Sequence, residues 1–137
     1  MAVISELIRV ESDGTISFGD YTLDKKSKVE DFKHDGDVLK VKTCKEITKL
    51  ERNGVFVYES VPGTSVDHFQ VTENQVAFSV EGTEDAQITL ELEPEAEYDI
   101  TVDQTNTGKM KTNLGGKLSL SVKLESGCVV PVKVEKA

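Results

Sequence analysis

The sequence predicts an all-β fold, an antiparallel β-sandwich of two packed sheets with little helix, and three observations carry that reading. Turn-forming pairs recur at intervals of about ten residues, at Asp13-Gly14, Asp35-Gly36, Asn53-Gly54, Pro62-Gly63, Glu81-Gly82, Gly115-Gly116 and Ser126-Gly127, and each supplies the positive or preset φ that a tight turn requires. Between them apolar and polar residues alternate with a period of two, which sets one face of a strand toward a core. Helix signals are sparse. Only Ser5 to Val10 and Thr43 to Arg52 carry one, with Thr43 or Thr48 placed as an N-cap.

In chain order, Ile16 and Phe18, Leu39 and Val41, and Ile47 and Leu50 mark short strands in a less regular first half. Val55-Phe56-Val57-Tyr58 is apolar on both faces, the pattern of a central strand or of a contact between two copies of the chain. The second half is regular. Val76, Phe78 and Val80 share a face, as do Ile88, Leu90 and Leu92, then Tyr98, Ile100 and Val102. Leu118 to Leu124 and Val130 to Val134 repeat the alternation. Pro131 lies within the last run; it lacks a ladder donor and predicts an edge strand there. The 137 residues suit one domain. A sub-boundary at 71–74, where the pattern sharpens, is the alternative.

The formal net charge is −9, a field that repels phosphate backbones and argues against a nucleic-acid partner. Lysines gather at Lys25, Lys26 and Lys28 and again at Lys40, Lys42, Lys45 and Lys49, as they do where edge strands are guarded against pairing with other chains. No apolar run approaches the ~18 residues of a membrane-spanning helix. Glu6 and Arg9 interrupt the first apolar segment, so it does not read as a secretory signal, and a cytoplasmic location is expected. Cys44 and Cys128 lie far apart without metal or redox spacing, and free thiols are expected of them.

Leu92-Glu93-Pro94-Glu95-Ala96-Glu97-Tyr98 resembles the tyrosine corner of immunoglobulin-like and fibronectin type III sandwiches. The resemblance implies a turn at Pro94 and a buried Tyr98 whose hydroxyl returns to the main chain. The glycine-opened strands at Gly115 to Val122 and Gly127 to Val134 are similar to the terminal sandwich modules of polysaccharide-degrading enzymes. In Ile16-Ser17-Phe18-Gly19-Asp20-Tyr21, Val57-Tyr58-Glu59-Ser60-Val61-Pro62-Gly63-Thr64 and Gly108-Lys109-Met110-Lys111-Thr112, and across most of its length, the chain resembles small proteins of Gram-positive anaerobic bacteria that carry the inherited name endosialidase. That name implies cleavage of polysialic acid. Residue chemistry opposes it, because sialidases resemble one another in clasping the sugar carboxylate with an arginine cluster, and the only arginines here are Arg9 and Arg52.

Carboxylates are plentiful, but none lies in an apolar context that would mark a general acid. Asp13, Asp35 and Asp37 lack the ligand series of a calcium loop and read as turn residues. His34 reads as a solvated turn residue. His68 follows Asp67 on an expected strand, where neighbours point to opposite faces and cannot form a dyad. A Ser-His-Asp set built from His68 and a distant acid stays geometrically open. Gly108-Lys109 lacks the spacing of a phosphate loop. No catalytic residue, cofactor or metal ligand is assigned, and Tyr58, Tyr21 and His68 are the candidate ligand-binding residues. The expectation is a non-catalytic sandwich acting through association with itself or another protein, with carbohydrate binding as the alternative.

Overall fold

The computed structural model describes residues 3–137. The first strands are β1 (Ile8–Val10), β2 (Ile16–Phe18), β3 (Ser27–His34), β4 (Asp37–Thr43), β5 (Thr48–Arg52) and β6 (Val55–Val61). They continue as β7 (Ser65–Val71), β8 (Gln75–Glu81), β9 (Ala86–Glu91), β10 (Glu97–Val102), β11 (Thr105–Lys111), β12 (Lys117–Val122) and β13 (Val129–Lys136). They form a seven-stranded sheet in the order β1-β2-β7-β8-β13-β10-β11 and a six-stranded sheet in the order β12-β9-β6-β5-β4-β3. All pairings are antiparallel. The sandwich predicted from the alternation is the fold observed. No helix among the described residues is long and apolar enough to cross a membrane.

The inward faces meet in a hydrophobic cluster drawn from both sheets, including Val76, Phe78, Val80, Ile88, Leu90, Ile100, Leu118, Leu120, Val132 and Val134. At one end of this core Phe18, Tyr58, Phe69 and Phe78 pack edge to face, with ring centroids 5.3 to 5.6 Å apart for Phe18 on Tyr58, Phe18 on Phe69 and Tyr58 on Phe78. Edge-to-face contacts set the positive rim of one ring on the negative face of another.

The chain passes from β6 in one sheet to β7 in the other through Pro62, Gly63 and Thr64, and at this crossing the Ile16–Tyr21 and Val57–Thr64 segments meet. Thr64 Oγ1 lies 2.8 Å from the Tyr58 hydroxyl and 2.8 Å from Ser60 Oγ, while the Thr64 N–H donates to Thr48 Oγ1 at 3.0 Å. Every one of these residues is fully buried. Gly19 and Gly63 permit the close approach: a Cβ on Gly63 would lie 1.9 Å from the Cys44 carbonyl oxygen, and one on Gly19 2.4 Å from that of Thr64. The Ile16–Tyr21 and Val57–Thr64 motifs thus build the hinge between sheets.

The chain changes sheet again at the β9–β10 corner. Pro94 sits in the turn, Tyr98 is 4% exposed, and the Glu93 N–H donates to the Tyr98 hydroxyl oxygen at 3.2 Å. Burial of the ring is therefore combined with a partner for its polar tip.

The two helical segments and the edge position of Pro131 are corrected. Ser5 to Val10 and Thr43 to Arg52 are not helical: Leu7 has φ 71°, and Thr43 and Thr48 bond each other in the core at 2.8 Å instead of capping. The segment between them is a turn closed by the Cys44 N–H on the Ile47 carbonyl. The strand carrying Pro131 is not an edge, since β13 lies between β8 and β10. The Pro131 carbonyl accepts from the Asp103 N–H. Main-chain N and C=O of one strand residue face the same side, so the missing donor faces the β10–β11 turn and the β8 ladder loses nothing. Residues 72–74 form the turn of the β7–β8 hairpin, whose two strands are neighbours in one sheet. Both cysteines are free, Cys44 buried and Cys128 exposed. Val55–Tyr58 opens β6, which is central in its sheet.

Candidate functional site

The three candidate residues lie in three different environments. Tyr58 is fully buried in the aromatic cluster, and burial pushes its hydroxyl pKa up. It offers no platform for a sugar, which corrects its selection as a ligand-binding candidate: Val57 is an extra residue of β6 opposite the Leu50–Glu51 step of β5, a bulge that changes which β6 residues face inward. Phe56 faces out instead, with Lys49 and Lys117 Nζ 5.9 and 5.3 Å from its ring centre.

Tyr21 is half-buried, and its hydroxyl donates to Glu81 Oε2 at 2.8 Å. Burial and then this carboxylate push its pKa up to about 12, so the phenol stays protonated. Glu81 is 3% exposed, and its other oxygen, Oε1, has no partner among the described residues. Tyr21 is therefore the support of a buried acid.

His68 is exposed, and its surroundings overturn the alternation argument. The β7–β8 register shifts between Asp67 and Gln70, and His68 adopts φ 55°. A bulge of this kind re-aims one side chain, and it brings His68 Nδ1 to 2.6 Å from Asp67 Oδ1. Ser17 Oγ lies 3.1 Å from the same Asp67 oxygen and 2.5 Å from Glu11 Oε2, and Arg9 Nε donates to that Glu11 oxygen at 3.0 Å. Ser17 and Arg9 hold the Glu11 carboxyl below the usual carboxylate range. The serine, histidine and aspartate are adjacent but in the wrong order for a nucleophilic triad. In a triad the hydroxyl meets the free imidazole nitrogen while the acid holds the other; here Ser17 binds the acids and is fully buried. Glu11, Asp67 and His68 also bring ligand-type atoms within 4.8 Å of one another, but Arg9 and Ser17 already engage the acids.

Several surface hollows remain, one of about 380 Å³ bordered by His68, and two of them carry chemistry of interest. A cavity of about 320 Å³ opens at the end of the sandwich near the β1–β2 and β3–β4 turns. Its floor is Ile16, Leu39, Leu50, Val57 and Phe69, and Asp13, His34, Asp37 and Arg52 stand around it. His34 is no solvated turn residue, as its Nε2 bonds the Gly14 carbonyl at 2.9 Å. The second feature is a groove of about 520 Å³ on the flank where the edge strands β11 and β12 of the two sheets face each other. Ile100, Val102, Met110, Leu120 and Val130 give it a mainly apolar lining, and polar residues including Gln87, Thr107 and Lys123 also border it. Sequence reasoning missed this flank because β11 is exposed on both faces and gives no alternation. One signal was legible there: from Gln104 to Leu124 the chain holds four lysines and no carboxylate.

No family model, curated protein or solved structure matches the chain.

Proposed function

We propose that this chain is a non-catalytic β-sandwich that works through protein association, as a scaffold, subunit or accessory domain. The observation that carries the reading is the open β11–β12 flank, where an apolar groove lies beside a free strand edge. Free edges are templates for pairing with another chain. The likeness of the Pro94–Tyr98 corner to immunoglobulin-like sandwiches adds support by fold analogy alone. A further copy of the chain and a different protein are both admissible partners under this reading.

The test is capture of binding proteins from the source cells by immobilised wild-type chain and by a Ser119→Pro variant, with bound proteins identified by mass. A protein held by the wild type and released by the variant is the expected result. A capture profile that Ser119→Pro leaves unchanged, together with a single-copy native mass at high concentration, would overturn the reading.

Carbohydrate binding is the second reading, favoured by the end cavity with its aspartates and Arg52. It lacks an exposed aromatic, since Phe69 is 4% exposed. A glycan array on which Arg52→Ala and Asp37→Ala abolish a wild-type signal would establish it in place of the first.

A further inference from the structure

Of the four strand edges, three carry the features that keep edges from pairing. Edge β1 has three residues. Edge β3 is broken by a register shift between Val29 and Phe32, with Asp31 at φ 58°, and bears Lys28 and Lys33. Edge β11 contains Gly108 at φ 110°, has a register shift in its pairing with β10, and bears Lys109 and Lys111. Shortness, bulges and lysines of this kind are the usual defences. Edge β12 has none of the first two: it pairs with β9 over Lys117 to Val122 without a shift.

The main-chain groups left open on β12 are identifiable. The Leu92 N–H donates to the Gly116 carbonyl, so even-numbered residues face β9. Lys117 faces outward, where its carbonyl accepts from the Asn113 N–H and its own N–H donates to Asn113 Oδ1. By the two-residue alternation, the N–H and C=O groups of Ser119 and Ser121 also face outward, and no other strand pairs with them. Leu120, Ser119 and Ser121 border the apolar groove.

Charge selects the occupant. The lysines between Gln104 and Leu124 are Lys109, Lys111, Lys117 and Lys123, with no Asp or Glu among them, in a chain of formal net charge −9. None of the four makes an ion pair among the described residues, and Lys117 Nζ rests over the Phe56 ring, 5.3 Å from its centre, so a carboxylate would draw it from that contact. Asp103 is the one carboxylate bordering the groove. A second copy docking β12 on β12 sets Lys117 against Lys123 when centred on Leu120, and like charges directly opposite are destabilising; centred on Ser119 or Ser121 it leaves Lys123 facing Gly115 or Ser119, without a carboxylate. We infer that β12 is a strand-addition site for an extended acidic segment of another protein. The segment pairs with the outward main-chain groups of Ser119 and Ser121, turns alternate apolar side chains into the groove, and sets carboxylates against Lys117 and Lys123. Strand addition draws affinity from the main chain and specificity from alternate side chains.

The inference rests on the association reading, and defined peptides separate the two. The probe is a labelled, end-blocked heptapeptide Glu-Val-Thr-Val-Thr-Val-Glu, whose terminal acids match the spacing of Lys117 and Lys123. Its control carries Lys at both ends. Fluorescence anisotropy should show saturable binding of the acidic peptide that weakens as salt rises, with the control weaker by about tenfold or more. Ser119→Pro removes one outward donor and spares the β9 ladder, as Pro131 spares that of β8, so it should weaken binding by about tenfold while Ser119→Ala does not. If the proline variant fails to fold by circular dichroism, the Lys117→Glu, Lys123→Glu double variant decides: it should lose the acidic peptide and gain the lysine one.

Equal binding of both peptides, or binding unaffected by a folded Ser119→Pro and by the double charge reversal, would overturn the inference. So would competition by an oligonucleotide that Ser119→Pro does not alter, since charge alone then explains the signal. Absence of peptide binding while a captured protein still depends on Ser119 overturns the acidic-strand inference and leaves association standing.

Discussion

At the residue scale, most of the polar side chains inside this sandwich support one another. Tyr21 is the sole described hydrogen-bond donor to the Glu81 carboxylate, which is almost wholly buried. Removing a donor from a buried acceptor costs the desolvation that its bond had offset. Tyr21→Phe should therefore lower the unfolding free energy by about 1–3 kcal/mol in denaturant titration; a change within error would mean Glu81 finds another partner. Glu11 makes a different, pH-dependent contribution. Its folded pKa lies below the ordinary 4.5 because Ser17 and Arg9 hydrogen-bond its charged form. A carboxyl with a depressed folded pKa adds stability above its unfolded value, and that contribution fades as pH falls through the folded value. The melting-temperature gap between wild type and Ser17→Ala should be widest above pH 4.5 and narrow below it. A gap constant across that window would rule this linkage out.

At the scale of elements, regular strands were legible and irregular ones were not. Ile88, Leu90, Leu118, Leu120, Val132 and Val134 announce their faces by alternation, and all are buried. Three features hid the rest. Asp103 and Gln104 both have positive φ without a glycine, so the β10–β11 hairpin showed no turn signature. The β7 bulge broke the alternation on which Asp67 and His68 had been separated. Pro131 predicts an edge from sequence, because a sequence shows that a donor is missing but not which neighbour it would face. The β6–β7 crossing is the least forgiving element. A methyl on Gly63 would overlap the Cys44 carbonyl, and backbone cannot move aside as a flexible side chain can. Gly63→Ala should cost about 1–3 kcal/mol or more, the scale of overpacking, measured as a lowered urea midpoint. An unchanged midpoint would show that the crossing relaxes.

For the whole molecule, the two sheets are joined by the chain crossings, by core packing and by hydroxyls at the Thr64 crossing, with no disulfide between them, since Cys44 and Cys128 are both free. Thermal unfolding should be the same with and without reductant at low protein concentration. A reductant-sensitive transition would instead point to exposed Cys128 pairing between copies. By itself the sequence determined the fold class, the inward faces of the second-half strands, the Pro94–Tyr98 corner, and a charge asymmetry from Gln104 to Leu124. These are local quantities, set by period, turn chemistry and composition. Only the tertiary structure decided that Tyr58 is buried, that Asp67 meets His68, that β13 is central, and that β12 is a free edge beside an apolar groove. Each depends on which strand lies beside which, and strand order follows from contacts between residues distant in sequence.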